Sequence, residues 1–258
     1  MAKKTETENT MSKTVSIPEF KKEAIMVTIE GDSDLILCKM TDESFEGIKD
    51  NQTKSGKSTK AKEAINMYQR LVQSVHWMDT PNSTATFNVK GIDEEGNETE
   101  IKICAGDHMT DGKYNHTEMG WRSALETNRV GYDASGIKKG LCDAAVRVLG
   151  ESKSTIINAN LQVIPEKRNL IHIEYASAGY DESIITNWKG NAFLTYRNVF
   201  SGWKATFRIE YLPSNISMEQ VITLVQAMGF ANGLGAHRVG LKGGTNGQFH
   251  VTKVIQVA

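Results

Sequence analysis

Three absences limit the classes of protein that this sequence can encode. The 258 residues include only three cysteines, Cys38, Cys104 and Cys142, which are odd in number, far apart and never in a CxxC pair. This pattern argues against a disulfide framework and a zinc ribbon, and it favours a reducing compartment. No run of 18 apolar residues and no hydrophobic signal-peptide core is present. We therefore expect a cytoplasmic protein with no membrane partner.

The sequence also lacks an excess of charge of either sign. Its 30 Lys and Arg residues nearly balance 31 Asp and Glu residues, which gives a net charge of −1 and a pI near 6.6. A global attraction to nucleic acid is therefore absent, and any such binding requires a local basic surface. Hydrophobic residues at 39% and charged residues at 24% are typical of a globular protein that is long enough to bury a core.

Periodicity divides the chain into a polar leader and one folded domain. Residues 1–18 have no apolar period and are predicted to form a disordered leader, and residues 19–258 are predicted to form a single α+β domain. Ser217, with Gln220 three residues later, has the capping-box pattern of a helix start. Alternating or helical apolar spacing predicts strands at 24–30, 35–40, 85–92, 98–105, 155–164, 170–176, 205–212 and 248–257, and helices at 63–77, at 133–150 and after Ser217.

A lysine-rich stretch, residues 51–62, is predicted to be a mobile basic loop. It carries Lys54, Lys57 and Lys60 and no acid, and Gly56-Lys57-Ser58 has the form of the end of a Walker A motif. A phosphate loop also requires glycine five positions before Gly56, where this sequence has Asn51, and a buried strand before it. We therefore reject a nucleotide-binding loop here and expect Lys54, Lys57 and Lys60 to be outer contacts to a polyanion.

The most unusual stretch is Gly229–Phe249, called the glycine-rich segment below. Seven of the 22 glycines fall in these 21 residues, together with His237, Arg238 and Lys242. Glycines allow close approach to main-chain N–H groups, so a loop of this kind with two cations suits a phosphate chain. On that interpretation the binding residues are Gly233, Gly235, Arg238, Lys242, Gly243 and Gly244. The alternative interpretation is a flexible connection between two elements.

Aromatic residues alternate with cations just before this segment. Arg197, Phe200, Trp203 and Lys204 precede or open the strand at 205–212. Bases of single-stranded nucleic acid stack on aromatic rings while Lys and Arg contact the phosphates. Phe200 and Trp203 are thus candidates for stacking, and Arg197 and Lys204 for phosphate contacts. The alternative is that the aromatic residues belong to the core, because a period of two places some of them inside.

No residue pattern predicts a cofactor or a metal ion. A polar loop contains possible metal ligands, but their spacing matches no established motif, so we expect neither a metal site nor a cofactor. These residues are Asp107, His108, Asp111, His116 and Glu118.

Both ends of the domain resemble an uncharacterised family of bacteriophage and prophage proteins. That family has an N-terminal G-x-S/T-P-L-L-M-H-R segment and a C-terminal G-I-G-x-W-R…G-x-F-x-V ending. The matching stretches are 31–40, GDSDLILCKM, and 233–251, GLGAHR to GQFHV, and the helix entry 131–139 is similar to the family's I-P-x-S-x-F-K-K. Asp34, Cys38 and Lys39 stand where the family has proline, histidine and arginine, so a role for that histidine does not carry over.

The ending is also similar to the glycine-rich loop of the RAMP proteins, the RRM-like subunits of CRISPR effector complexes. This resemblance implies a ferredoxin-like sheet with helices on one face and an inserted β-hairpin. It implies a non-catalytic protein that binds single-stranded RNA or DNA, as a homo-oligomer or within a multi-subunit complex.

Two alternatives to this function remain open. One is a structural or assembly protein of the virion. The other is a metal-independent RNA endonuclease of the RAMP type, with His237 or His250 as general base and Lys242 stabilising the developing charge. Tryptophan is frequent in the phage family at the position of His237, which weakens the endonuclease hypothesis.

Overall fold

The computed structural model describes residues 21–39, 66–79, 86–92, 97–104, 118–150, 154–186 and 192–257. Its strands are β1 Glu23–Gly31, β2 Leu35–Leu37, β3 His76–Trp77, β4 Thr86–Ile92, β5 Glu98–Cys104, β6 Val130–Asp133, β7 Leu161–Ile164, β8 Leu170–Ile173, β9 Ser177–Thr186, β10 Ala192–Ser201, β11 Lys204–Tyr211 and β12 Phe249–Val257. Its helices are α1 Met67–Gln73, α2 Glu118–Thr127, α3 Ala134–Arg147, α4 Ser154–Asn160 and α5 Met218–Ala231.

A four-stranded antiparallel sheet forms the centre of the fold. Its strands lie in the order β12-β1-β11-β7, and Ile25, Val27 and Ile29 of β1 pair with Ile209, Phe207 and Ala205 of β11. Because side chains alternate across a strand, these six residues share one face, and all six are buried. The central sheet therefore has a core face and an opposite face, which we call the open face.

Helices α3 and α5 cover the core face. α3 is capped by Asp133, whose Oδ1 accepts a hydrogen bond from Ser135 N at 2.9 Å, and it buries Ile137 and Leu141. α5 has a complete capping box between Ser217 and Gln220 and buries an apolar stripe at helical spacing: Val221, Leu224, Val225 and Met228. Both helices contribute to the hydrophobic core that includes β1 and β11.

Two smaller sheets flank the centre. One has the order β2-β10-β9, in which β9 and β10 form a long hairpin between β7 and β11 in the chain, and the other has the order β3-β6-β8. A buried polar network joins the hairpin to α1 and α2. Trp121 Nε1 donates to Asn198 Oδ1 at 2.8 Å, and Asn198 Nδ2 donates to Leu71 O at 2.8 Å and to Ser74 Oγ at 2.9 Å. These bonds offset the cost of burying the Asn198 amide.

The prediction of an α+β fold is confirmed. Strands β1, β11 and β12, the hairpin of β4 and β5, and helices α3 and α5 lie where the sequence predicts them. The predicted leader 1–18 and the predicted loop 51–62 lie outside the described residues. No helix in the described ranges is long and apolar enough to cross a membrane.

The strand predicted at 155–164 is wrong in its first half. The β-branched residues Thr155, Ile156 and Ile157 favour a strand by intrinsic propensity. The structure has helix α4 here, followed by β7, and the turn of the helix buries Ile157 while Ile156 stays exposed. Burial of one side chain on a helix that packs beside α3 outweighs the local preference.

Candidate functional site

The glycine-rich segment is closed on itself by backbone hydrogen bonds. Leu234 N donates to Gly247 O at 2.9 Å, and Val239 N donates to Asn246 O at 3.1 Å. The carbonyl of His237 accepts from both Thr245 N and Asn246 N, at 3.0 and 3.1 Å. The segment is thus a bonded loop, and the interpretation as a flexible connection is not supported.

The same segment is bonded to β2 and to the turn between β1 and β2. Ala236 N donates to Ile36 O at 2.8 Å, and Gly247 N donates to Asp34 O at 2.7 Å. Gln248 N also donates to Ser33 Oγ at 3.0 Å. The two stretches on which the phage-family resemblance rests, 31–40 and 233–251, are therefore in contact in the fold.

Close packing explains why glycine occupies two positions of the segment. Gly235 has φ 78° and Gly247 has φ 68°, a left-handed region that other residues rarely adopt. A Cβ at Gly235 would overlap Ile36 O, and one at Gly247 would overlap Leu234 O. At these positions glycine is required by the protein's own backbone.

The N–H groups predicted to cradle a phosphate are largely engaged inside the protein. Gly233 N donates to Met228 O at 2.9 Å, Gly235 N to Tyr132 Oη at 3.2 Å, and Gly244 N to Leu241 O at 2.9 Å. The prediction that these three glycines donate their N–H groups to a phosphate is therefore corrected, because each N–H already has an acceptor within the protein. Gly243 differs, since it is exposed and a Cβ there would meet open space.

Three cations surround the loop, and we call them the basic rim: Arg147, Arg238 and Lys242. Arg238 is half-buried and its Nη1 donates to Gly235 O at 3.3 Å, while Lys242 is exposed. Arg147, at the end of α3, donates from Nη1 to Gly240 O at 3.3 Å. The glycine-rich segment contains no acid, and within the described ranges no rim cation has a carboxylate within salt-bridge distance.

The two predicted stacking residues are wrong, because both are in the core. Trp203 is 1% exposed, its ring lies against Gly31, and its Nε1 donates to Ser33 O at 2.8 Å. Phe200 is fully buried and packs on Tyr175. Neither ring can stack on a base in this conformation.

Arg197 is also buried, so the prediction of an outer phosphate contact needs correction. The residue is 7% exposed, and its Nη1 donates to Ser183 Oγ at 2.9 Å and to His237 Nε2 at 2.5 Å. The Asp181 carboxylate lies 3.8 Å away. These partners account for its charge inside the protein.

The two candidate general bases differ in what their rings contact. Arginine can only donate, so His237 Nε2 is the acceptor of the bond from Arg197 and its lone pair is occupied. His250 Nδ1 lies 2.7 Å from Asp32 Oδ1, which leaves Nε2 for another partner. The geometry disfavours His237 as a general base, and the endonuclease hypothesis keeps only His250.

The remaining predicted contacts lie away from the segment or outside the described ranges. Lys204 is on the open face, where its Nζ pairs with Glu174 at 3.1 Å. Lys54, Lys57 and Lys60 lie outside the described residues. In the described part of the central sheet, the open face carries no Phe, Tyr or Trp, so it lacks the rings on which RRM sheets stack bases.

A polar cleft of about 280 Å³ opens beside the glycine-rich segment. Burial, and then the charge of Lys39, lower the pKa of His76, while Asp133 acts in the opposite direction. Burial raises the pKa of Tyr132, against the effects of the Gly235 hydrogen bond and the Arg238 charge. The cleft is lined by Leu37, Cys38, Lys39, His76, Tyr132 and Asp133, with Gly235 and Ala236 at its border with the loop.

Several residues of this region could not be found from the sequence. Arg147 was predicted only as part of a helix, and nothing local shows that its side chain reaches Gly240. Phe230 is 73% exposed at the end of α5, although an aromatic residue within an apolar helix is ordinarily assigned to the core. The sequence signal for its exposure is that Phe230 lies off the apolar stripe of α5, one turn before Gly233.

No protein-family model matches this sequence, and no curated protein shows significant similarity to it.

Proposed function

We propose that this protein binds single-stranded nucleic acid without cleaving it, through the basic rim of the glycine-rich segment. The observation that carries the proposal is that Arg147, Arg238 and Lys242 surround an acid-free loop and that, within the described ranges, none of them has a carboxylate partner. Cations without carboxylate partners keep their field and can replace the counterions of a phosphate chain. The backbone hydrogen bonds of the glycine-rich segment hold Arg238 and Lys242 on a main chain of one conformation.

Phe230 is the aromatic side chain that we assign to stacking in place of Trp203. It lies in the last turn of α5, at the start of the glycine-rich segment, and its side chain is 73% exposed. Base stacking on an exposed ring tolerates any sequence, because every base has a π face. Cations and one ring suit a single strand better than a duplex, whose bases are already stacked.

The order of strands supports a ferredoxin-like, RAMP-like core. Counted along the chain, the central sheet has its fourth strand beside the first, then the third and the second, with α3 between the first two and α5 between the last two. This is the β-α-β-β-α-β connection of such domains. Phage origin, a place in the host cytoplasm and side-by-side assembly along the strand remain predictions.

The test is fluorescence anisotropy with labelled single-stranded RNA, single-stranded DNA and duplex DNA across a salt series. We expect Arg238→Ala/Lys242→Ala to weaken single-strand binding by roughly tenfold for each lost charge-assisted hydrogen bond. The slope of log K against log salt should fall by about two, one for each phosphate contact.

The matched control is Lys204→Ala/Lys253→Ala, which removes the same charge from the open face. It should retain nearly all of the affinity and the salt slope. Equal losses in the two double variants would mean a diffuse electrostatic effect and would refute the rim as the site. A gel of the incubated RNA tests cleavage, since intact RNA is expected and products that vanish in His250→Ala would favour the endonuclease.

A further inference from the structure

The polar cleft is preformed by contacts between chain segments that are distant in sequence. Lys39 N donates to Ser74 O at 2.7 Å, which joins the end of β2 to the start of β3. On the opposite wall, Gly235 N donates to Tyr132 Oη at 3.2 Å. His76 is held by the pairing of β3 with β6, opposite Gly131. A ligand would meet walls that are already in place.

Three hydrogen-bond donors line this cleft without an acceptor in the described part of the protein. The Tyr132 hydroxyl accepts from Gly235, so its own hydrogen has yet to be donated. The imidazole of His76 and the ammonium of Lys39 make no hydrogen bond or ion pair with the described residues, although both line the cavity. The buried unpaired atoms of the described residues do not include the nitrogens of His76 or Lys39, so these donors reach solvent and a ligand that enters the cleft can replace the water on them.

The formal charges of Lys39 and Asp133 in the cleft lining cancel, and the charge of Arg238 also acts on Tyr132. Lys39 acts on the pKa of His76 and Arg238 on the pKa of Tyr132 in the direction expected of a positive charge, while Asp133 acts on both in the opposite direction. Asp133 is the acid in the lining, and its Oδ1 already accepts from Ser135 N, Ser135 Oγ and Asn169 Nδ2, which ties it to the start of α3. One cation and two neutral donors thus face a space next to a carboxylate whose Oδ1 is engaged by the protein.

We infer that the polar cleft binds a phosphate group through Lys39, His76 and the hydroxyl of Tyr132. A phosphate offers three or four acceptor oxygens to these three donors, and a cavity of about 280 Å³ accommodates the group together with part of a nucleoside. The inference rests on the proposed function for the source of the phosphate. That source is either an internal phosphodiester of the bound strand or a monoester at its end.

The first measurement is a titration with inorganic phosphate at constant ionic strength, followed by NMR of the histidine side chains, with chloride as the reference anion. Phosphate should shift the ring signals of His76 and leave those of His172 unchanged, because His172 is outside the cleft. Tyr132→Phe keeps the ring and removes the hydroxyl, which is also the acceptor of Gly235 N, and we expect it to weaken phosphate binding about fivefold. Lys39→Gln should weaken it about tenfold, and Lys253→Gln should have no effect.

The second measurement uses one oligonucleotide with a 5′-phosphate, a 3′-phosphate or neither. A preference for a phosphorylated end that Lys39→Gln abolishes would support the inference with a terminal monoester as the source. Equal affinity for all three, with a shift of the His76 signals in each complex, would support it with an internal diester as the source.

The inference and the proposed function fail separately. If neither inorganic phosphate nor bound oligonucleotide shifts the ring signals of His76, the phosphate site is overturned. The strand could still bind at the rim. Phosphate binding in the cleft by a protein that binds no oligonucleotide would refute the proposed function and leave the site. Thermal unfolding of Tyr132→Phe and Lys39→Gln checks that both variants are folded, and His76→Gln is a third variant if either is not.

Discussion

The basic rim and the open face both carry cations, but they differ in how those cations are paired. On the open face, Lys204 lies 3.1 Å from Glu174, and Glu210 accepts from Lys22 at 2.6 Å and from Arg208 at 2.9 Å. Within the described ranges the rim cations have no carboxylate partner, and Arg147 and Arg238 donate to carbonyl oxygens. An exposed ion pair adds little stability, but it cancels the field that would attract a polyanion. Pairing, more than the number of cations, separates the rim from most of the open face, where the exposed Lys253 is an exception within the described ranges.

The largest expected effect comes from breaking the loop that carries the rim. Gly247→Ala should lower the free energy of unfolding by about 3 kcal/mol, because the new Cβ overlaps Leu234 O and the residue has a left-handed φ. Gly243→Ala also has positive φ but meets open space, so it should cost only about 1 kcal/mol. Urea denaturation of the two variants measures the difference, and equal losses would show that the loop is not packed as described.

The next effect concerns Phe230, because the open face has no aromatic ring on which a base could stack. Phe230→Ala should weaken single-strand binding about tenfold, the value expected for the loss of one stacked base, without changing the salt slope. Phe230→Tyr keeps the ring and should bind like the unaltered protein. Because Phe230 is exposed, neither change should affect stability. An anisotropy titration in which Phe230→Ala binds normally would remove this residue from the site.

A smaller effect follows from freeing a cation on the open face. Glu174→Gln removes the carboxylate that pairs with Lys204, so Lys204 gains a free charge. We expect single-strand affinity to rise by no more than about fivefold, because an exposed pair is worth at most about 1 kcal/mol. The gain should disappear when Lys204→Ala is added. An increase of tenfold or more would mean that the open face is the main binding surface and would reverse the comparison.

The smallest effect is the acid sensitivity of the paired surface. The hydrogen bond from Lys22, followed by that from Arg208, holds the pKa of Glu210 below its ordinary value, against the effect of burial. A carboxyl whose pKa is lowered by folding stabilises the protein above its unfolded pKa of about 4.3 and loses that contribution as the pH falls below it. Glu210→Gln should therefore lose less stability than the unaltered protein between about pH 5 and pH 3, as measured by urea denaturation at each pH.

Local signals predicted the elements that depend on neighbouring residues. The capping box of Ser217 and Gln220 lies within four residues, and the alternation of Ile25, Val27 and Ile29 needs only one strand, so both were readable from the sequence. The unusual glycine content of 229–249 likewise identified the segment that meets β2. These sequence patterns do not predict which residue each side chain contacts.

The errors in the site come from contacts between distant parts of the chain. Period two predicts that Trp203 or its neighbour faces inward, but only the approach of Gly31 decides that the indole is buried. Arg197 has the composition of a surface contact, and its burial depends on Asp181, Ser183 and His237. His76 falls within the helix predicted at 63–77 and nothing local singles it out, because the cleft that it lines is formed by segments up to 160 residues away.

The position of β1 between β11 and β12 has a consequence for the synthesis of the protein. Both neighbours of β1 come from residues 204–257, so about 170 residues must be translated after β1 before it has a partner. At 5–20 residues per second this takes roughly 10–35 s. During that time the ribosome carries a nascent chain whose apolar first strand has no hydrogen-bonded neighbour from the central sheet, the state in which chaperones bind and strands aggregate. The last quarter of the chain therefore controls when the first strand can fold.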